Sequence, residues 1–147
     1  MGERMSEPPE VLLVEDNPAD IRLTLEALKE CRFEHNIRVV RDGLEATSFL
    51  FRRGRYVGAP RPSVILLDLN LPKKNGHEVL REVKGDENLK RIPVVVLTIS
   101  RLHEDILRSY NLHANSYIIK PVRVERLVVV MKSIGEFWFD VTTLPPE

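Results

Sequence analysis

Four short stretches of this 147-residue sequence carry side chains suited to chemistry. They are Glu15 and Asp16 in "VLLVEDNPAD", Asp68 in "SVILLDLNLP", Thr98 in "VVVLTIS" and Lys120 in "SYIIKP". Each closes an apolar run. If the fold brings them together, three carboxylates share one point, and at an effective dielectric of about 20 two unit charges 4 Å apart repel by roughly 4 kcal/mol. A hard divalent cation such as Mg2+ offsets that repulsion, accepts oxygen ligands and keeps positions open for phosphate oxygens. Glu15, Asp16 and Asp68 are then metal ligands, one of the acidic pair through water. Asp68 is also placed to act as a nucleophile, since a carboxylate can attack phosphorus and form an aspartyl phosphate. The protein's share of phosphoryl transfer is mostly positioning and charge neutralisation. The metal, the Lys120 ammonium and the Thr98 hydroxyl supply one partner for each of three phosphoryl oxygens. The acidic pair alone has a plainer reading, because acids ahead of Pro18 also favour a helix N-terminus. That reading leaves Asp68 and Lys120 unexplained.

The elements that must position these groups alternate along the chain. "EVLLVED" (10–16) is an apolar run too short for a helix, and Asn17-Pro18 opens a helix in which Ile21, Leu25 and Leu28 recur at helical spacing. "NIRVVRDG" (36–43) reads as a second strand, and 44–54 as a helix stopped by Gly54. "RYVGAPRP" (55–62) is a surface loop. "SVILLD" is the third strand, 76–86 the third helix, 92–98 the fourth strand, 102–112 the fourth helix and 116–120 the fifth strand. A last helix is expected from about Val122 to Phe139. Strands apolar on both faces, separated by helices, predict a parallel sheet covered on both sides. Right-handed crossovers leave few topologies. The expectation is an α/β, doubly wound, flavodoxin-like (βα)5 fold with a five-stranded parallel sheet of order 2-1-3-4-5. Ligands in such sheets bind beyond the carboxyl ends of the strands, where all four stretches end. One domain over 10–139 is predicted, with a flexible segment at 1–9 and a tail at 140–147.

Taken together, Glu15-Asp16, "LLDLNLPKKNG", "VVVLT" and "YIIKP" resemble the receiver domain of two-component response regulators, over roughly residues 10 to 135. The resemblance implies that Asp68 is the phosphoacceptor, charged by a phosphohistidine on a sensor kinase. It implies that Glu15 and Asp16 bind Mg2+ and that the backbone carbonyl of Asn70 completes the metal site. Thr98 and Lys120 would contact the phosphoryl group, Tyr117 would be the aromatic switch residue, and Lys120-Pro121 would be joined by a cis peptide. The opening "EDNPADIRLTLEALKE", the loop "FRRGRYVGAPRP" and the end "EFWF" are similar to stand-alone regulators that partner bacterial phytochrome kinases. Ile99, after Thr98, stands where many receivers carry a small residue, and the 51–62 loop is longer than usual.

Bulk properties agree with a signalling domain. Lysine plus arginine and aspartate plus glutamate both number 22, which removes the footprint of a dedicated nucleic-acid binder. A lone cysteine, Cys31, excludes an internal disulfide and fits a reducing compartment. No apolar run approaches the roughly 18 residues of a membrane span, so a cytoplasmic protein without membrane contact is expected. No effector domain is visible after the last helix, so output is expected through protein contacts or by draining phosphate from a kinase. That helix is broadly apolar, with a stripe of Val124, Leu127, Val128, Met131, Ile134 and Trp138 widened by Val130 and Phe137. Either its own domain buries it or it forms a twofold homodimer, for which Val130, Phe137 and Trp138 suit the interface core. Enzymatic rivals fit less well. Aspartate-nucleophile phosphatases need an acid two residues after the nucleophile, where this chain has Asn70. A flavodoxin-like cofactor binder needs a hydroxyl- or glycine-rich loop where "VEDNPAD" stands. A receiver that has lost its chemistry would lack groups that are all present here.

Overall fold

The computed structural model describes residues 8–31, 35–99 and 112–133. Its strands are β1 (Glu10–Val14), β2 (Asn36–Val40), β3 (Val64–Asp68), β4 (Val94–Thr98) and β5 (Ser116–Ile119). They form one sheet of order β2-β1-β3-β4-β5 with every neighbouring pair parallel. The helices are α1 (Pro18–Glu30), α2 (Gly43–Leu50), α3 (Gly76–Lys84) and α4 (Val124–Ser133), with short 3-10 turns at Gly54–Tyr56 and Leu89–Arg91. The fourth helix expected over 102–112 falls largely outside the described residues.

The central strands are buried on both faces because successive side chains serve opposite layers. Val11, Leu13, Val64, Leu66, Val95 and Leu97 pack with α1 and α4, whereas Leu12, Val14, Ile65, Leu67, Val94 and Val96 pack with α2 and α3. Leu13, Leu66 and Leu97 have no exposed surface, and full burial of such a side chain stabilises by about 1.5–3 kcal/mol. The edge strand β2 departs from the expected pattern. Only Val40 is buried there, because β2 is an edge strand with a neighbour, β1, on one side only.

Helix α2 ends at Leu50, four residues before Gly54. The stop is a Schellman-type turn: Arg52 is left-handed (φ 57°), its N–H donates to Phe49 O (3.2 Å), and Arg53 N–H donates to Ser48 O (2.8 Å). An arginine thus holds the place glycine usually takes. Gly54 (φ 57°) begins the next turn instead. The following loop is tied down rather than loose. The Tyr56 ring packs 5.1 Å from Phe49, Tyr56 donates its hydroxyl to Glu45, and Arg61 donates to Asn88 O (2.9 Å).

Cys31 is wholly buried beyond α1, and burial pushes its thiol up to about 11. It is a structural thiol. Among the described residues no helix is long and apolar enough to cross a membrane.

Candidate functional site

The acidic pair sits where β1 gives way to α1. Glu15 is fully buried and Asp16 is exposed. Asn17 caps α1 by accepting from Asp20 N–H (3.0 Å), and Pro18 follows at the first helical position. The neighbouring strand β3 ends in Asp68, which is 3% exposed. One carboxylate oxygen from each of Glu15, Asp16 and Asp68 lies within 4.8 Å of the others. β4 ends in Thr98, 2% exposed, and Lys120 N–H donates to Thr98 O (2.9 Å), which fixes the start of the β5–α4 connection beside it.

Lys120 reaches back over this cluster. Its Nζ lies 2.6 Å from Glu15 Oε1, 3.0 Å from Asp20 Oδ2 and 3.4 Å from Asp68 Oδ1. The peptide between Lys120 and Pro121 is cis. Asn70, two residues past Asp68, is exposed and its backbone N–H donates to the Asp68 carboxylate. Tyr117, on β5, is partly buried against the layer formed with α2 and α3.

Electrostatics follow from the burial. Burial pushes Glu15 up to about 7, helped by the Asp68 charge and opposed by Lys120 and the Asn17 N–H. Burial also raises Asp68 above the ordinary carboxylate range, against the Lys120 charge and the Asn70 N–H. For Lys120 burial works the other way, but its contacts with Glu15, Asp20 and Asp68 outweigh it and raise the ammonium. Glu15 Oε1 and Asp68 Oδ1 are buried and accept no aligned hydrogen bond, although each has Lys120 as an ionic neighbour. Such oxygens suit a hard cation. The donor set of Glu15, Asp16 and Asp68 therefore fits Mg2+, with the exposed side at Asp16 left to water or phosphate.

The structure brings together Glu15, Asp16, Asp68, Asn70, Thr98 and Lys120 at the carboxyl ends of β1, β3, β4 and β5. It does not leave Val130 open to a partner. Val130 is 3% exposed and belongs to the layer packed by α1 and α4, because it faces inward with Leu127 and Met131; the exposed apolar residue of this helix is Val129, at 57%. Phe137 and Trp138 lie outside the described residues. Asp20 was not singled out from the sequence, where an acid three positions after an Asn cap reads as part of the cap. Two glycines also escaped notice. A Cβ on Gly43 would lie 1.8 Å from Lys74 O, and one on Gly76 would lie 2.5 Å from Asp68 O, so both helix starts press directly on the loop that follows Asp68.

A profile of the response regulator receiver domain matches residues 11–132. The response regulator Rcp1 of Synechocystis sp. is 48% identical over 145 residues, which span 99% of each chain. A crystal structure of its Mn2+-bound form superposes with a TM-score of 0.78 at 49% identity, covering 95% of this chain and 100% of that one. The phosphorylated cyanobacterial phytochrome response regulator RcpA gives 0.79 at 51% identity, with 95% and 100% covered. The bacteriophytochrome response regulator RtBRR gives 0.83 at 42% identity, with 95% and 86% covered.

Proposed function

The chain belongs to the response regulator receiver domain family, and from that premise we propose that it accepts a phosphoryl group on Asp68 from a sensor histidine kinase. The observation that carries this reading is the convergence of Glu15, Asp16 and Asp68 within 4.8 Å, with the Lys120 ammonium 3.4 Å from Asp68. An Asp68 carboxylate oxygen attacks the phosphorus of a phosphohistidine; the P–O bond forms as the P–N bond breaks, and the imidazole leaves. Glu15, Asp16 and Asp68, with the Asn70 carbonyl, would hold Mg2+, which when bound would supply positive charge to the carboxylates and to phosphoryl oxygens. Lys120 takes a second phosphoryl oxygen and the Thr98 hydroxyl a third. Thr98 and Tyr117 then carry the change to the surface near β5, where partners read it. The protein is a signalling acceptor rather than an enzyme, with transfer from small phosphodonors and slow loss of phosphate as its own activities.

The partner kinase is a bacterial phytochrome, a reading supported by the phytochrome link of RcpA and RtBRR, and the chain acts in the cytoplasm. Signalling proceeds by protein contacts, and the last helix pairs two copies of the chain; Val129 is exposed on it, and Phe137 and Trp138, which suit the same interface, lie outside the described residues. The test of the central claim is intact mass after exposure to a small phosphodonor with Mg2+. Wild type gains one phosphoryl group and Asp68→Asn gains none. An unmodified, correctly folded wild type would overturn the assignment.

A further inference from the structure

Three described helices start with a side-chain cap and carry an acid at the third helical position, and they use that acid differently. In α3 the Asn75 side chain accepts from Glu78 N–H (2.9 Å) while Glu78 Oε1 accepts from Asn75 N–H (3.0 Å), a complete capping box. In α2 Glu45 Oε1 accepts from Arg41 N–H (3.0 Å), one residue before the Asp42 cap. In α1 the cap is made by Asn17, but the Asn17 N–H is turned toward Glu15 Oε2 (3.3 Å). Asp20 is thereby released from the cap, and its Oδ2 accepts a hydrogen bond from Lys120 Nζ at 3.0 Å.

We infer that Asp20 is a positioning residue for the phosphoacceptor site, holding the Lys120 ammonium between Glu15 and itself and off Asp68. The inference rests on the reading of Asp68 as phosphoacceptor. Lys120 is 7% exposed and has three carboxylates in reach. Its two shortest contacts are to Glu15 Oε1 (2.6 Å) and, as a hydrogen bond, to Asp20 Oδ2 (3.0 Å), while Asp68 Oδ1 stands farther off at 3.4 Å. Two consequences follow. Asp68 keeps an oxygen open to the metal and to phosphorus, and the ammonium stays close enough to take a phosphoryl oxygen once one arrives. Without Asp20 the ammonium settles on Asp68 and Glu15, where it competes with the cation for the same oxygens.

A double-mutant cycle on Mg2+ affinity tests this. Mg2+ binding is measured by titration calorimetry on wild type, Asp20→Asn, Lys120→Met and the double variant, each first shown to be folded by thermal unfolding. Asp20→Asn is expected to weaken Mg2+ binding about five- to tenfold when Lys120 is present and by less than about twofold in the Lys120→Met background. Equal losses in both backgrounds would make Asp20 only one more negative charge and overturn the proposal. Should Lys120→Met not fold, phosphorylation of Asp20→Asn by a small phosphodonor decides instead. The Mg2+ concentration for half-maximal rate rises severalfold while the rate at saturating Mg2+ falls less than about twofold. A loss confined to the saturating rate would overturn it. The calorimetric cycle needs no phosphate, so a wild type that binds Mg2+ as expected but takes no phosphoryl group refutes the phosphoacceptor reading separately.

Discussion

Replacing Gly43 with alanine should destabilise this protein, although Gly→Ala at a helix start ordinarily stabilises. Alanine gains up to about 1 kcal/mol of helix propensity and unfolded-state entropy over glycine. Against that, the new methyl would stand 1.8 Å from Lys74 O, 2.6 Å from Lys74 C and 2.7 Å from Lys74 Cβ. Two of these three atoms are backbone, so no side-chain rotation relieves the clash. The loop after Asp68 must retreat by roughly an ångström, and overpacking of that kind costs about 1–3 kcal/mol. The retreat also breaks the hydrogen bond from Gly43 N–H to Pro72 O, already long at 3.3 Å and worth about 0.5–1 kcal/mol. The balance is a loss near 2 kcal/mol, which in a chain of this size lowers the melting temperature by about 4–8 °C. Circular dichroism melts of Gly43→Ala and Gly58→Ala provide the comparison, because a Cβ on Gly58 meets nothing within 4 Å. Gly58→Ala should match or exceed wild type by a few tenths of a kcal/mol up to about 1 kcal/mol. If Gly43→Ala melts as high as Gly58→Ala, the loop is not braced by α2 and the reasoning fails. The displaced loop carries Asn70, whose N–H bonds Asp68, so the same variant should also bind Mg2+ more weakly.

Two further outcomes are expected. Because burial raises Glu15 from 4.5 to about 7, the folded protein binds a proton between those values that the unfolded chain has already released. Stability of the metal-free protein should therefore fall as pH rises from about 5 to about 8, Glu15→Gln should reduce that slope, with the raised Asp68 carrying the rest, and saturating Mg2+ should flatten it; a metal-free melting temperature that climbs steadily over the range would count against the buried carboxyl. For the pairing of chains, Val129→Ala with Phe137→Ala should lower the mass seen by light scattering. Val130→Ala should instead leave pairing intact and cost about 1–3 kcal/mol of stability, since Val130 lies in the core. An unchanged dimer mass in the first variant would rule out pairing through these residues.

Much of the architecture is legible because one periodicity governs it. Runs such as Val64–Asp68 and Val94–Thr98 are apolar up to their last residue, as suits a strand covered on both faces, and that last residue marks the functional rim. Glycine was a poorer guide. Gly54 reads as the end of α2, yet Arg52 supplies the left-handed residue four positions after the cap-forming turn begins at Ser48. That choice depends on hydrogen bonds that residue types do not announce. Asp20 was hidden for a related reason: its local role and its tertiary role compete, and the tertiary one wins only because Glu15 occupies the Asn17 N–H. Val130 was misplaced because a stripe wider than usual does not say which edge of it faces inward; the packing of α4 on α1 decides that.

The ion pair between Lys120 and Asp20 joins residues 100 positions apart. Everything between them, including the strand that ends in Asp68 and the one that ends in Thr98, must be in place before the ammonium can arrive. Closing so long a stretch of chain carries an entropic cost that the local helices do not share, and parallel pairings of this kind form late and slowly. The phosphoryl chemistry, which needs the Lys120 ammonium beside Asp68, is therefore withheld from any partly folded chain in which β5 has not yet joined the sheet. A freshly made copy would gain its full signalling competence in the same step that completes the sheet and seats the ammonium.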